Sequence, residues 1–271
     1  MILAILPSIF WGFNGILLRK GFEKADVLPG TITVVGISYF VVSFFSIFRF
    51  NEVEFPPLKI AILALAGIIS YTFGRLFTYS SLTSIGSSRA FSGTSTRILF
   101  SSILGMLALG EKMSLEIALG TILMILGLYI FSTEKISAKG LAYSIIGGFA
   151  YGFAAILIKL GMLKSAIVSL FISSSFGFSA LYLFVGIKSS FKPVANRYLI
   201  ASGFSLALGN IFYYLALSQI PVIIVVPLSN MYPLVTTFLS YLLIKDLERV
   251  RFRTLVGSAL TVFGSTIIAC S

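Results

Sequence analysis

The chain has 271 residues, of which 58% are hydrophobic and 11% charged, and its formal net charge is +11. A water-soluble domain carries roughly 25% charged residues, so this composition excludes an ordinary soluble fold. One cysteine and no histidine exclude a disulfide framework and remove the commonest metal ligand. The basic residues lie mostly between apolar runs, where lipid head groups are their natural neighbours, so the charge does not predict nucleic-acid binding.

Ten apolar runs follow one another along the chain, each close to the roughly 20 residues that a helix needs to cross the hydrocarbon. They occupy residues 1–18, 29–48, 58–82, 86–109, 114–132, 140–158, 164–186, 198–218, 221–244 and 252–270. The runs do not alternate apolar with polar residues as the strands of a membrane barrel do. The pattern therefore predicts an all-α integral membrane protein with ten transmembrane helices and short loops.

The first half of the chain is repeated in the second half. Residues 12–21 (GFNGILLRKG) match residues 152–161 (GFAAILIKLG) at five of ten positions, and residues 77–86 match 212–221 at four. Each copy holds five apolar runs, and an odd number of spans places the second copy in the membrane upside down. The chain is therefore predicted to contain two inverted repeats, the architecture of alternating-access transporters.

The repeat also predicts the domain boundaries. Residues 1–132 form the first five-helix unit, residues 140–271 form the second, and residues 133–139 link them. Little sequence is left over for a separate soluble domain, which argues against an added sensing or signalling region.

Several motifs recur at matching places in the two copies. Trp11 precedes a glycine in the first span, and a stretch from Pro233 to Glu248 closes the fourth span of the second copy. In the first copy Thr96 stands at the proline position, with Glu111 at the same distance. Each fifth span carries two glycines seven residues apart, Gly120 with Gly127 and Gly257 with Gly264. In order and spacing these features resemble the EamA-type transporters of the drug/metabolite transporter superfamily, although Thr96 departs from the pattern.

The resemblance implies ten helices, a central cavity built mainly by spans 1, 3, 4, 6, 8 and 9, and packing of spans 5 and 10 away from it. It also implies transport of a small metabolite and termini in the cytoplasm. Loops after odd-numbered spans, however, carry more Lys and Arg than those after even-numbered spans, which by the positive-inside rule places the termini outside. Glu111 and Glu248 are interpreted as structural residues at span ends, and the paired glycines as close helix packing.

Three arginines lie within the apolar runs, whereas all nine acidic residues lie in loops or at span ends. An ionisable group inside the bilayer costs at least a few kcal/mol, so it marks a functional pathway by default. Arg97 falls near the middle of the fourth span, roughly 16–18 Å from either end and too far to reach the interface. Arg89, Gly93 and Arg97 recur every four residues, which predicts one helix face where a ligand or another backbone approaches Gly93.

The third span of each copy adds polar and aromatic residues. Tyr71, Arg75 and Tyr79 share one helical face in the first copy. The repeat places Asn210 opposite Arg75, with two tyrosines after it, Tyr213 and Tyr214. One half thus offers a cation and the other an amide at equivalent positions, which favours binding of one asymmetric solute over packing alone.

Further candidates for the cavity come from the first and ninth spans. Trp11 and Asn14 lie three residues apart on one face of the first helix, and Asn230 precedes Pro233 in the ninth. For these residues, and for the arginines, packing or capping of backbone carbonyls is the alternative interpretation.

A guanidinium holds a carboxylate or phosphate through two hydrogen bonds, so the unbalanced positive charge predicts an anionic solute. The sequence favours a secondary transporter in the cell membrane that carries a small organic anion or zwitterion, such as an amino acid, a carboxylate or a phosphorylated metabolite. An exporter of neutral or aromatic compounds is the alternative within this class, and a non-transporting receptor is a weaker one. No enzyme, cofactor, metal site or nucleic-acid partner is predicted, because the histidine and mid-membrane acids that catalysis needs are missing. The expected partners are a small-molecule substrate and the lipid bilayer, and the oligomeric state stays open.

Overall fold

A computed structural model describes residues 2–50, 53–112, 114–132, 137–188, 194, 196–243 and 252–269. Within those ranges every regular element is helical. The first half contains α1 (Ile2–Gly21), α2 (Val27–Ile47), α3 (Pro57–Gly67), a π-helical segment (Ile68–Gly74), α4 (Arg75–Ile85), α5 (Ser87–Thr94), α6 (Arg97–Leu109) and α7 (Leu115–Ser132). The second half contains α8 (Ala138–Gly161), α9 (Ala166–Lys188), α10 (Arg197–Gln219), α11 (Val222–Ser229), α12 (Tyr232–Leu243) and α13 (Phe252–Ala269).

In the described ranges, seven helical stretches are long and apolar enough to cross a membrane: Ile2–Gly21, Val27–Ile47, Pro57–Ile85, Ala138–Gly161, Ala166–Ile187, Arg197–Gln219 and Val222–Leu243. Two shorter apolar helices cover Leu115–Met124 and Leu255–Gly264. The chain is therefore an all-α, multi-pass membrane protein. The fourth predicted span, which α5 and α6 cover, is not among the seven.

The fourth span of each repeat is broken near its middle. In the second copy α11 ends at Ser229 and α12 begins at Tyr232, beside a proline that lacks the backbone N–H a continuous helix needs. The fourth span of the first copy has no proline, yet its helix also stops. There the hydroxyls of Thr94, Ser95 and Thr96 bond back to carbonyls three or four residues earlier. Such bonds compete with the helical ladder and bend it.

This break corrects one prediction. Arg89, Gly93 and Arg97 do not share a continuous helical face, because α5 ends at Thr94 and α6 starts at Arg97. Gly93 lies against the side chain of Ser144 on α8. The missing side chain therefore leaves room for the Ser144 side chain, and the expected ligand or backbone is not what lies against this glycine.

Helices α1 and α10 pack side by side in opposite directions. Ser205 donates to the Phe10 carbonyl (2.7 Å), Asn14 donates to the Ser202 carbonyl (2.9 Å), and Asn196 donates to the carbonyl of Gly21 (3.2 Å). Residue numbers fall on one helix as they rise on the other, so the pair is antiparallel. The first span of the first copy thus pairs with the third span of the second copy.

The reciprocal pair packs in the same way. Ser81 on α4 donates to the Gly140 carbonyl on α8 (2.7 Å), and a Cβ at Gly147 would meet the Thr78 hydroxyl at 2.5 Å. At the far end, a Cβ at Gly161 would meet Leu63 at 2.9 Å. The first span of the second copy therefore runs antiparallel to the third span of the first copy.

The predicted glycine packing between the fifth and tenth spans is confirmed. A Cβ added to Gly127 on α7 would lie 2.7 Å from the Gly257 carbonyl oxygen on α13. A Cβ added to Gly264 on α13 would collide with the carbonyl oxygen of Gly120. Backbone meets backbone at both points, which is how small residues join helices in a membrane. Glu248 and most of the predicted linker lie outside the described residues.

Candidate functional site

A cavity lies between the two halves of the chain. From the first half it is lined by Trp11, Asn14, Tyr71, Arg75, Thr78 and Arg97, with Ser70 and Phe91. From the second half it is lined mainly by Tyr151, Asn210, Tyr213, Tyr214 and Tyr232. These residues belong to α1, the π-helical segment, α4, α5, α6, α8, α10 and α12. None of the residues described in α7 and α13 lines this cavity.

Of the eleven residues predicted from the sequence to bind substrate, eight line this cavity: Trp11, Asn14, Tyr71, Arg75, Arg97, Asn210, Tyr213 and Tyr214. Three do not. Tyr79 packs against the ring of Phe22 (5.6 Å between centroids), and Arg89 donates to the Ile85 carbonyl (3.4 Å). Asn230 is fully buried at the break between α11 and α12.

Arg97 is the most enclosed charged side chain of the cavity, with 5% of its surface exposed. Its guanidinium lies 5.0 Å from the ring of Trp11, 5.4 Å from Tyr213 and 5.9 Å from Tyr232. Contact with aromatic rings stabilises a cation and leaves its hydrogen-bond donors free. One of those donors, Nη2, bonds to the Ser229 hydroxyl (2.7 Å). Nε is buried and has no partner in the described part of the chain.

Arg75 occupies a second aromatic site. Its guanidinium lies 5.1 Å from the Tyr151 ring and 5.7 Å from the Tyr71 ring. Nη1 donates to the Tyr151 hydroxyl (3.3 Å), while Nε finds no partner among the residues described. The Tyr71 hydroxyl in turn accepts a hydrogen bond from the amide of Asn210 (2.9 Å). The amide predicted opposite Arg75 therefore holds one of the two rings on which that arginine stacks.

The π-helical segment Ile68–Gly74 immediately precedes Arg75. A π-helix is wider than an α-helix and occurs most often at functional sites. Its Thr72 hydroxyl donates to the Gly177 carbonyl on α9 (3.2 Å), which anchors the segment. At its end, a Cβ on Gly74 would lie 2.6 Å from the ring of Tyr151, so glycine leaves room for that ring. The segment thereby sets the positions of both Arg75 and its stacking partner.

Tyr151 and Thr78 were not predicted as site residues. Tyr151 stands in the second copy at the position that Trp11 occupies in the first, 140 residues earlier. Both residues line the cavity and both contact a guanidinium. The repeat alignment therefore contained the signal that would have identified Tyr151. Thr78 lies three residues after Arg75 on α4, and this helical spacing was the signal that could have identified it.

Among the residues that the structure describes, those lining the cavity include two arginines and no Asp or Glu. In the described ranges no cluster of His, Cys, Asp or Glu has the makings of a metal site. Two cations in a partly desolvated space require compensation, because buried charge without a partner is strongly unfavourable. What this arrangement can do chemically is bind an anion.

Two charged residues lie at one end of the helices, and the carboxylate of one of them joins the two repeats. Glu111, just after α6, accepts hydrogen bonds from the backbone N–H groups of Val222 (3.0 Å) and Ile223 (3.1 Å). These are the first two residues of α11, so the carboxylate caps a helix N-terminus and complements its dipole. Lys159 donates to the carbonyls of Leu217 (2.6 Å) and Ile220 (3.0 Å) at the end of α10. The interpretation of Glu111 as a structural residue is confirmed.

Replacing Glu111 with glutamine is expected to lower the free energy of unfolding by about 1 kcal/mol. The amide offers one acceptor oxygen for two N–H groups and removes the negative charge that faces Lys159. The effect appears as a lower midpoint of thermal unfolding in detergent. Glu54→Gln is the matched control, because Glu54 is exposed, and it is expected to leave the midpoint unchanged. Equal midpoints for both variants would contradict the capping role.

The helical fold, the membrane-length spans and an internal cavity lined by aromatic rings and two arginines are those of a membrane transporter. The model of the EamA-like transporter family matches residues 1–133 and again residues 138–270. The chain therefore belongs to the EamA-like transporter family and contains two copies of its repeat, which confirms the resemblance seen in the sequence.

Two further similarities agree with this assignment. The chain is 25% identical over 158 residues to a protein of Archaeoglobus fulgidus described as an uncharacterized transporter. That match covers 57% of this chain and 56% of the relative, so the chain spans little more than half of the relative's length. A protein of known crystal structure shares the fold with a TM-score of 0.69 at 13% identity, over 98% of this chain and 94% of the other.

Proposed function

We propose that this chain is a secondary transporter that carries a small organic anion or zwitterion across the cell membrane by alternating access through the central cavity. One observation carries the proposal. Two guanidiniums, Arg75 and Arg97, line the cavity with unpartnered Nε groups in the described structure and without a facing carboxylate. A substrate anion supplies the missing countercharge.

Alternating access requires two halves that can exchange roles. Helix α1 packs antiparallel to α10, and α8 packs antiparallel to α4. The first span of each copy therefore lies beside the third span of the other copy. Such reciprocal pairing is what two inverted five-helix repeats produce, and it supports the arrangement of ten spans. The cavity lies between the halves, where rocking of one against the other exposes it to each side in turn.

The aromatic lining favours a second candidate. Trp11, Tyr71, Tyr151, Tyr213, Tyr214 and Tyr232 surround the same cavity. Rings of this kind also bind neutral aromatic compounds, so an exporter of such compounds is the alternative. In the present cavity five of these six rings contact an arginine (Tyr214 is the exception), which favours their use in supporting cations.

Charge preference separates the two functions. Liposomes that contain the purified protein are loaded with an unlabelled mixture of carboxylates, amino acids and phosphate monoesters. Uptake of labelled compounds from outside is then measured. Exchange of anions or zwitterions, with no exchange of neutral aromatic compounds or cationic amines, is expected. Exchange restricted to neutral aromatic compounds would establish the alternative. Binding of a compound without any flux would point to a receptor instead.

A further inference from the structure

The geometry points to a dianion as the substrate: a small molecule with an anionic group at each end, one held by Arg75 and the other by Arg97. This inference rests on the proposed function and narrows it. It selects dicarboxylate-like molecules over zwitterions and monoanions.

The two guanidiniums occupy separate subsites. Arg97 stacks on Trp11, Tyr213 and Tyr232, whereas Arg75 stacks on Tyr71 and Tyr151. The rings within about 6 Å of one guanidinium differ from those within about 6 Å of the other. A carboxylate that binds within one set of rings therefore leaves the other guanidinium with its own free donors.

Each subsite has donors to spare. A guanidinium carries five N–H donors. For Arg97 the hydrogen bond in the described structure goes to Ser229, and for Arg75 it goes to Tyr151, both neutral hydroxyls. Nε of each arginine also has no partner within the described ranges. Each subsite therefore holds an arginine with free N–H donors, and such a guanidinium can bind one carboxylate.

The charge of the lining separates dianions from zwitterions. The described residues that line the cavity carry two positive charges and no negative one. A dianion brings the total to zero, and a monoanion leaves one cation uncompensated. The ammonium group of a zwitterion would lie beside the second arginine with no carboxylate to receive it, and like charges repel strongly in a site of low polarity.

Two matched series of unbranched probes test the inference. Succinate, butyrate and γ-aminobutyrate have four carbons, and glutarate, valerate and δ-aminovalerate have five. Binding to the purified protein is measured by thermal shift and calorimetry, and flux is measured by exchange in liposomes. In at least one series the dicarboxylate is expected to bind about 10- to 100-fold tighter than the monocarboxylate, as a second charge-assisted contact implies. The amino acid of that series is expected to bind weakest.

Variants assign the effect to the two subsites. Arg75→Gln and Arg97→Gln should each bring the ratio of dicarboxylate to monocarboxylate affinity close to one. Arg253→Gln removes the same charge from an exposed position on α13 and should leave the ratio unchanged. The ratio compares two ligands on one protein sample, so partial misfolding of a variant does not alter it.

The outcomes distinguish this inference from the proposed function. If a monocarboxylate or the amino acid binds and exchanges as well as the dicarboxylate of equal length, the dianion inference is wrong and anion transport stands. If none of the six probes binds or exchanges while neutral aromatic compounds do, both fail.

Discussion

Replacing Arg97 with alanine is expected to reduce anion binding and exchange by about 10- to 100-fold, the loss of one charge-assisted contact in a partly dry site. The guanidinium is 5% exposed and lies among three aromatic rings, so solvent is a poor replacement for it. Initial rates of exchange in liposomes, taken over a range of substrate concentrations, measure the effect.

Arg97→Lys separates charge from shape. An ammonium keeps the positive charge but loses the planar fork and much of the stacking on Trp11, so partial retention of exchange is expected. Thermal unfolding of both variants serves as the control for folding. If a folded Arg97→Ala protein exchanges anions at the native rate, Arg97 has only a structural role and the proposed site is wrong.

Replacing Gly67 with alanine is expected to destabilise the protein by about 1 to 3 kcal/mol, as overpacking of a tight contact does. A Cβ at Gly67 would collide with the carbonyl oxygen of Ser173 and lie 3.0 Å from the Cα of that residue. The obstacle is backbone, which has no rotamer to change. Helices α3 and α9 must therefore move apart.

The same substitution tests how the π-helical segment is held. Gly67 is the last residue of α3, directly before the segment that leads to Arg75, so a shift there is expected to weaken anion binding as well. Gly186→Ala on α9 is the control, because no atom lies within 4 Å of a Cβ added there. The two unfolding midpoints are compared in the same detergent. Equal midpoints would show that the α3–α9 crossing tolerates a side chain.

Much of the fold and part of the site could be predicted from the sequence. Apolar length depends on the thickness of the bilayer and not on tertiary context, and for that reason the runs match helices such as α1 and α10 to within a few residues. The charge of Arg97 in an apolar run likewise needs a polar environment in any fold. Its place in the cavity follows from that need.

The remaining features depend on packing that the sequence does not display. The interpretation of Arg89 as a cavity residue assumed one continuous helix from Arg89 to Arg97. The hydroxyls of Thr94, Ser95 and Thr96 interrupt that helix before it reaches Arg97. The π-helical segment before Arg75 depends on contacts with α9, which lies about 100 residues further along the chain. The pattern of apolar and polar residues within a short segment does not predict contacts with distant segments.

Access to the cavity from each side of the membrane tests the central claim most directly. In a Cys270→Ser background, Thr78→Cys places one thiol in the lining of the cavity, and Ser258→Cys places one on α13, buried and away from the cavity. Each protein is exposed to a membrane-impermeant sulfonated thiol reagent in sealed vesicles of either orientation. The account predicts labelling of Thr78→Cys from both sides and labelling of Ser258→Cys from neither. Labelling of Thr78→Cys from one side alone, under every substrate condition, would contradict transport by alternating access.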